Sequence, residues 1–564
     1  MAKVDYKVRR LVDMVEAGDI QLPEMQRQYV WTAPKVRDLL DSLYRGYPSG
    51  VILTWQPPGE VETREFAVAT SDKPTGHPLL LLDGQQRLTS LSAVLRGEPV
   101  KVKWRKTPVE ILFNLDHPEE LTFITEVIED ADGDGQPDDI DGADEEEEDP
   151  NARINRRAFL VASNAVLALP NWVKVTDVFK KADSEILKGA GVTGFDDPNY
   201  ERYSARLKAL RAIADYEYRV DILEPSKSYE EVTEIFVRVN SLGAKLRGSD
   251  LALAQITAKW NGSLALFNAY QQSVREAGFD LDLGVFLRTL VSITTGQAKF
   301  LTVGALDKAR LETGWKQTTK AFNFAVNFAT SNLGIDSASL LSSPFLLLTT
   351  AFWAHSREYT IDAAEEAAFR KWFLLANAKG RYSRGSSETI LNQDLETLRT
   401  GGAADQLLER LATQMGRLDF TENDLVGRTS RSGAFKTLFL AFRAAGAVDW
   451  ATHLVISPKH KGKADAIEFH HVFPKAYMKR ERPDVDSRDV DDIANLAFIG
   501  AKTNKTISDS SPREYCVAFK AADLAKQLVD FEDGGDVAKD FEAFVSRRRK
   551  AMAATLNSFL GVSG

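Results

Sequence analysis

Two runs decide the reading of this chain: Glu-Phe-His-His-Val-Phe-Pro-Lys-Ala-Tyr at 468–477 and, after a charged insert, Asp-Ile-Ala-Asn-Leu-Ala-Phe-Ile-Gly-Ala-Lys-Thr-Asn-Lys at 492–505. Residues 467–472 read as a short strand stopped by Pro474, because proline cannot continue a hydrogen-bonded ladder. Residues 496–499 are a second apolar run, closed by Gly500. Asn504 stands where a helix is expected to begin, and Ser510-Ser511-Pro512 is a further helix start. Two strands and a helix make a small ββα unit that can bring His470, His471 and Asn504 together over one cation. The chain has only seven histidines, so the adjacent pair is not diluted by a His-rich background.

The residue types suit phosphodiester hydrolysis, which needs an activated water and neutralisation of charge on the transferring phosphate. An imidazole titrating near neutrality is a good general base. Successive strand side chains face opposite ways, so one histidine can face a metal while its neighbour faces the water. An Asn oxygen suits a hard cation, Mg²⁺ or Mn²⁺. Zinc is disfavoured, because the single cysteine, Cys516, cannot build a thiolate cluster. On the residues alone, a pair of ordinary packed or surface histidines reads equally well.

The strings H-H-x-F-P, I-A-N-L-A-F-I and T-N-K-x-I resemble the HNH nuclease domain of the GmrD type, and S-D-S-S-P-R-E-Y resembles the next segment of that family. The resemblance implies His470 and Asn504 as metal ligands and His471 as general base. It makes Asn495 a structural residue tying the loop to the helix.

The chain's 564 residues, 44% of them hydrophobic, are enough for several cores. The expected divisions are 1–260, a helical scaffold at 261–400, and a nuclease-bearing 401–564. The lone cysteine fits a reducing cytoplasm, and the N-terminus has no signal-peptide core. No apolar run reaches membrane-spanning length without a charge or breaker, so no membrane partner is expected. A formal charge of −10 argues against a DNA-coating protein but leaves room for a local basic patch.

The N-terminal region has its own signature. An apolar strand at 79–82 runs into Asp83-Gly84-Gln85-Gln86-Arg87, and a helix comes next at 88–95. A helix N-terminus offers unpaired N–H groups and a positive dipole end, and Gly84 permits close approach of a phosphate. Arg87 has a planar fork for phosphate, and Asp83 a carboxylate for a metal or a water. A plain strand–turn–helix with a solvated cap is the alternative, and no P-loop string is present. The strings I-x-L-P-x-x-Q-R-x-Y-V-W and L-L-L-D-G-Q-Q-R-L-T-S-L resemble the GmrS-type domain, a relative of the ParB and sulfiredoxin fold. That resemblance implies binding and hydrolysis of ATP or GTP, with contacts from Gln26, Arg27, Tyr29, Asp83, Gly84, Gln85, Gln86 and Arg87. A third family string at 234–250 adds Arg238 and Asn240 and implies that its helix packs beside the Asp83–Arg87 segment. A salt-bridged helix residue is the plain alternative for Arg238.

Residues 129–149 are an acidic insert, read first as an excursion that repels DNA. Asp130, Asp132, Asp134 and Gly135 match the start of a calcium loop, but position 12 is Asp141 and position 8 is Pro137. From 264 to 376 the periodicity predicts helices, among them 303–312 and 318–331. The segment 380–395, with its hydroxyls and two arginines, reads as a phosphate-friendly loop or as an ordinary connection. Lys459, Lys461 and Lys463 before the histidine strand suggest DNA-backbone contacts. Arg547, Arg548 and Arg549 on the last helix are either DNA contacts or a solvated face.

The fold class expected is therefore α+β multidomain: a ParB/sulfiredoxin-like N-terminal domain, a helical middle, and a C-terminal helical domain holding a ββα-metal motif. The expected function is a modification-dependent antiphage endonuclease or nickase with nucleoside triphosphate hydrolysis coupled to DNA sensing. Its partners are duplex DNA, phosphorothioated or modified at cytosine, and a nucleoside triphosphate; a homo-oligomer is compatible. The alternatives are a non-enzymatic DNA-binding regulator and a metal-dependent RNA-cleaving toxin.

Overall fold

The computed structural model describes residues 1–23, 31–57, 63–64, 78–102, 107–118, 157–242, 248–383, 385–458, 466–531 and 540–562. Gln26, Arg27, Tyr29, the acidic insert with its calcium-like loop, Arg384, Lys459, Lys461 and Lys463 lie outside the described residues. The chain divides into two compact units, Met1–Leu264 and Ala265–Gly564.

The first unit is mixed α+β. Its elements begin with β1 (Ala2–Lys7), α1 (Val8–Glu16), β2 (Ile20–Pro23), α2 (Ala33–Tyr44) and β3 (Ile52–Trp55). Then come β4 (Thr63–Arg64), β5 (Leu79–Asp83), α3 (Gln85–Leu95), β6 (Ile111–Asn114), β7 (Phe159–Val161), β8 (Trp172–Lys174) and β9 (Glu217–Leu223). The main sheet runs in the order β1-β9-β3-β5-β2-β4, with parallel pairs at β9/β3 and β5/β2. A smaller antiparallel sheet has the order β7-β6-β8. β5 is apolar on both sides because both are covered. Leu81 packs with α1, α2 and α3, whereas Leu80 and Leu82 pack with Val232 and Phe236 of α4 (Tyr229–Leu242). The helix of the third family string thus lies on β5 across the sheet from α3.

The second unit is largely helical. α5 (Lys308–Leu333) is a single 26-residue helix, capped by Asp307, which accepts from Arg310 N at 2.9 Å, and ended by Gly334 at φ 67°. The sequence pattern predicts two helices broken around Gly314. The break is absent because this glycine serves close packing: a Cβ there would stand 2.2 Å from Thr294 Oγ1. Next come α6 (Phe345–Ser356), α7 (Ala363–Lys379) and α8 (Ser387–Arg399). Trp353 of α6 and Phe369 of α7 stack with ring centroids 3.8 Å apart. The chain continues through α9 (Gly433–Ala444), β10 (Ile467–His471), β11 (Leu496–Gly500), α10 (Ala501–Ile507) and α11 (Phe541–Leu560). Among the described residues no helix is long and apolar enough to cross a membrane.

The connection between α7 and α8 differs from the phosphate-loop expectation at Arg381. That side chain is 2% exposed and clamps Asp394, itself fully buried, at 2.6 and 2.5 Å. Tyr382 donates to the same carboxylate at 2.7 Å, and Gln414 accepts from Arg381 Nη1 at 2.8 Å. The arginine is committed to the core and presents no fork to a ligand. Removing one partner strands a buried charge, so Asp394→Ala should destabilise this unit by about 3–5 kcal/mol. Breaking the exposed Arg399–Glu396 pair should leave the unfolding curve nearly unchanged. Urea unfolding of the two variants beside wild type checks the contrast; equal effects would contradict it.

Candidate functional site

Hairpin β10/β11 is antiparallel, pairing Phe469 with Phe498, His470 with Ala497 and His471 with Leu496. Strand alternation sorts its side chains. Phe469 turns to Phe435 of α9 and to Phe498, at centroid distances of 5.2 and 5.8 Å. Glu468 and His470 share the other face. α10 begins directly after β11, at Ala501 rather than at Asn504, so Asn504 sits within the helix and reaches back to that face.

His470 is 2% exposed, between the rings of Trp450 and Tyr515. Burial lowers its pKa to about 4, so the ring is neutral at pH 7. Its Nδ1 lies 2.8 Å from Asn504 Oδ1, and its Nε2 lies 3.2 Å from the Tyr515 hydroxyl. The amide orientation of Asn504 is set by its neighbour: its NH₂ donates to Glu468 Oε2 at 2.7 Å, which leaves Oδ1 toward the imidazole. Tyr515 has one proton to give, and the Val472 carbonyl takes it at 2.5 Å. With Oδ1 as the acceptor, the 2.8 Å contact is a hydrogen bond donated by Nδ1–H of His470. Glu468, His470 and Asn504 thus gather on one face, with atoms of the types that could hold a hard cation once that proton is displaced. Among the described residues, no group of three or more His, Cys, Asp and Glu side chains gathers as a metal cluster. Here only Glu468 and His470 are of those types, and the amide of Asn504 is the third donor.

His471 ends the strand. Its Nε2 meets Asp491 Oδ1 at 2.7 Å, and Lys475 pairs with the same carboxylate at 2.7 Å. Burial lowers the pKa of His471, opposed by the hydrogen bond and charge of Asp491. Burial raises that of Asp491, but Lys475 and His471 bring it below the usual range. With Nε2–H donated to Asp491, Nδ1 of His471 is the basic atom.

Asn495 is fully buried. Its Oδ1 accepts from Phe473 N at 2.8 Å, and its Nδ2 donates to the carbonyls of Phe473 and Val490 at 3.1 and 2.9 Å. Its own carbonyl accepts from Val472 N at 2.7 Å. It ties the turn after β10 to the entry of β11. Arg548 does the same from α11. It is 2% exposed, and its guanidinium donates to the carbonyls of Ala494, Leu496 and Gln527 at 2.6–3.3 Å. Arg549 ion-pairs with buried Asp492 at 2.8 Å. Arg548 and Arg549 are thus engaged within the fold, and of the three only Arg547 lies on the exposed side of α11. Asp449 accepts from Gly500 N at 2.7 Å and from Thr503 Oγ1 at 2.8 Å, fixing the step from β11 to α10.

Sequence reasoning missed Glu468, Asp491, Asp449 and Tyr515. Glu468 carried a signal, since i, i+2 spacing puts it beside His470, and Tyr515 closes the S-D-S-S-P-R-E-Y string.

In the first unit, Gly84 takes φ 106° between β5 and α3, a conformation that favours glycine. Arg87 departs from the expected role. Its guanidinium donates to the carbonyls of Ser49 and Val51 at 2.7 and 2.9 Å and to Asp83 at 2.8 Å. Both Arg87 and Asp83 are thus engaged within the fold, because the turn after α2 supplies carbonyls where a phosphate was expected. Gln85 and Gln86 are buried. Gln86 Oε1 accepts from Trp31 N at 3.1 Å, and Gln85 Oε1 is buried without a hydrogen-bond partner among the described residues. Arg238 is exposed on α4 and pairs with Glu234 one turn away; Asn240 lies further along the same helix.

Residues 8–257 match the family model described as GmrSD restriction endonuclease, N-terminal domain. The chain is also similar to an uncharacterized protein of Methanocaldococcus jannaschii, 22% identical over 586 aligned residues. That alignment covers 95% of this chain and 90% of the relative. The GmrSD-matching segment is the α+β unit, and the hairpin with its histidines lies beyond it.

The lock at Asn495 is testable by itself. Asn495→Ala leaves the buried Phe473 N–H and two carbonyls without their side-chain partner, at about 1–3 kcal/mol per group. Amide exchange at Val472 and Phe473 should accelerate strongly, with that at α5 unchanged. Unaltered protection in the turn would remove Asn495 from this role.

Proposed function

We propose that this chain is a modification-dependent antiphage DNA endonuclease or nickase that cuts at the β10/β11 hairpin in an HNH-like manner. The observation that carries the reading is the His470 Nδ1–Asn504 Oδ1 approach of 2.8 Å beside an Asp-bonded histidine. The match of residues 8–257 to a restriction endonuclease domain supports it.

His470 and Asn504 would hold Mg²⁺ or Mn²⁺, with Glu468 beside them. A cation there neutralises charge on the transferring phosphate and polarises the leaving oxygen. His471 takes the proton of the attacking water on Nδ1. Asp491 keeps the opposite nitrogen protonated and stabilises the imidazolium that forms, as an orienting carboxylate does for a catalytic histidine. Lys475 holds Asp491 ionised.

The first unit, in this reading, binds ATP or GTP and senses the state of the DNA. The buried amide oxygen of Gln85 is an acceptor that a ligand donor would satisfy, and the start of α3 supplies N–H groups. Arg87 acts at one remove, holding the Ser49–Val51 turn against β5.

The test places wild type and His471→Ala on plain, phosphorothioated and glucosylated duplex DNA and on structured RNA, with Mg²⁺ or Mn²⁺ and with ATP or GTP. Wild type should nick or cut a duplex only with divalent ion. His471→Ala should lose about 10²–10⁴-fold in rate while its unfolding curve stays in place. Full-rate cutting by the variant, or cutting confined to RNA, would overturn the proposal.

A further inference from the structure

A cavity of about 270 Å³ opens at the start of α9, inside the second unit. Four basic side chains line it, Lys379, Arg417, Arg428 and Arg431, against one carboxylate, Asp424. That carboxylate is turned to Thr421, accepting from its backbone N and its Oγ1 at 2.7 and 2.8 Å. The bases come from three separate stretches of chain, so the charge is gathered by the fold and is not a run in the sequence.

Lys379, Arg417 and Arg428 bond the wall of the cavity. Lys379 Nζ donates to the Asp419 carbonyl at 2.6 Å and stands 3.8 Å from the centre of the Phe420 ring. Arg417 pairs with the Asp419 carboxylate. Arg428 donates through Nε to the Asp424 carbonyl at 3.0 Å and makes no ion pair among the described residues. The floor is the N-terminus of the 12-residue helix α9, where Ser432 caps Phe435 N at 3.3 Å and Gly433 and Ala434 face the cavity. Exposed Ser383 stands at the cavity, its hydroxyl donating to the Ser342 carbonyl at 3.3 Å.

The Arg428 guanidinium, the basic charges around it and a helix N-terminus converging on a small polar cavity are the chemistry of phosphate recognition. The volume falls below the ~300–1,000 Å³ of ordinary small-molecule pockets, which suits one charged group better than a whole extended ligand. We infer that this cavity is a phosphate site, occupied by a backbone phosphate of the polynucleotide bound at the hairpin. Proximity to the hairpin selects the occupant: one residue beyond Ala434, Phe435 packs on Phe469 and Phe498 of β10 and β11, on the face away from His470, with centroids 5.2 and 4.8 Å away. The choice of occupant rests on the nuclease reading; the phosphate chemistry does not.

The test uses the full chain in chelator, where duplex DNA is bound but not cut, with anisotropy measured across a range of salt concentrations. Arg428→Gln/Arg431→Gln should weaken duplex binding about tenfold or more and reduce the salt slope by about 1–2. Ser383→Glu, a surface change that sets a carboxylate at the cavity, should weaken binding with the core untouched, and unfolding curves confirm that both variants fold. Calorimetry with inorganic phosphate and with ATP or GTP separates the sources. Tight wild-type binding of these, lost in the variants while duplex affinity holds, would overturn the backbone occupant. Unchanged duplex affinity, salt slope and free-phosphate binding in both variants would overturn the site. A chain that binds DNA through this cavity yet never cuts it would sink the nuclease reading alone.

Discussion

The register of one short hairpin governs the second unit's chemistry. A slip of one residue between β10 and β11 would turn His470 outward and bury Phe469 against Tyr515. Three buried polar side chains forbid it, each from a different part of the chain. Asn495 pins the turn after β10, Arg548 holds the carbonyls on either side of Asn495, and Asp449 fixes the start of α10. Every one of these contacts is side chain to backbone, so they fix where the strands run and leave the apolar packing to Phe435, Phe469 and Phe498.

The hairpin itself was legible in the sequence, because Pro474 and Gly500 bound its strands and alternation sorts their faces. The approach of His470 and Asn504 was legible from residue type and family resemblance together. The partners that set protonation were not. Asp491 lies in a charged insert that reads as solvated, and Tyr515 and Asp449 lie in segments with no periodic signal toward the site. The basic run 547–549 misled because charge looks alike whether it faces water or the carbonyls of a buried turn.

The first unit repeats the lesson at Arg87. A strand, a left-handed glycine and a helix start did form where the pattern placed them, and α4 does lie on β5. The arginine, however, spans the carbonyls of Ser49 and Val51 and the carboxylate of Asp83, which the sequence offers no means of foreseeing across 36 residues. Its role is to shape the β5–α3 corner. The buried amide oxygen of Gln85 is the polar atom there that calls for a partner.

His470 Nδ1 and Asn504 Oδ1 lie 2.8 Å apart beside Glu468, and we propose that a divalent cation binds there in place of the proton they share. Electron paramagnetic resonance of Mn²⁺ added to the full chain reads this without any assay of cleavage. The account predicts bound Mn²⁺ with hyperfine coupling to a histidine nitrogen, lost in His470→Gln and weakened in Asn504→Ala, while His471→Ala keeps it. Bound Mn²⁺ with no nitrogen coupling, or coupling that survives His470→Gln, would contradict it.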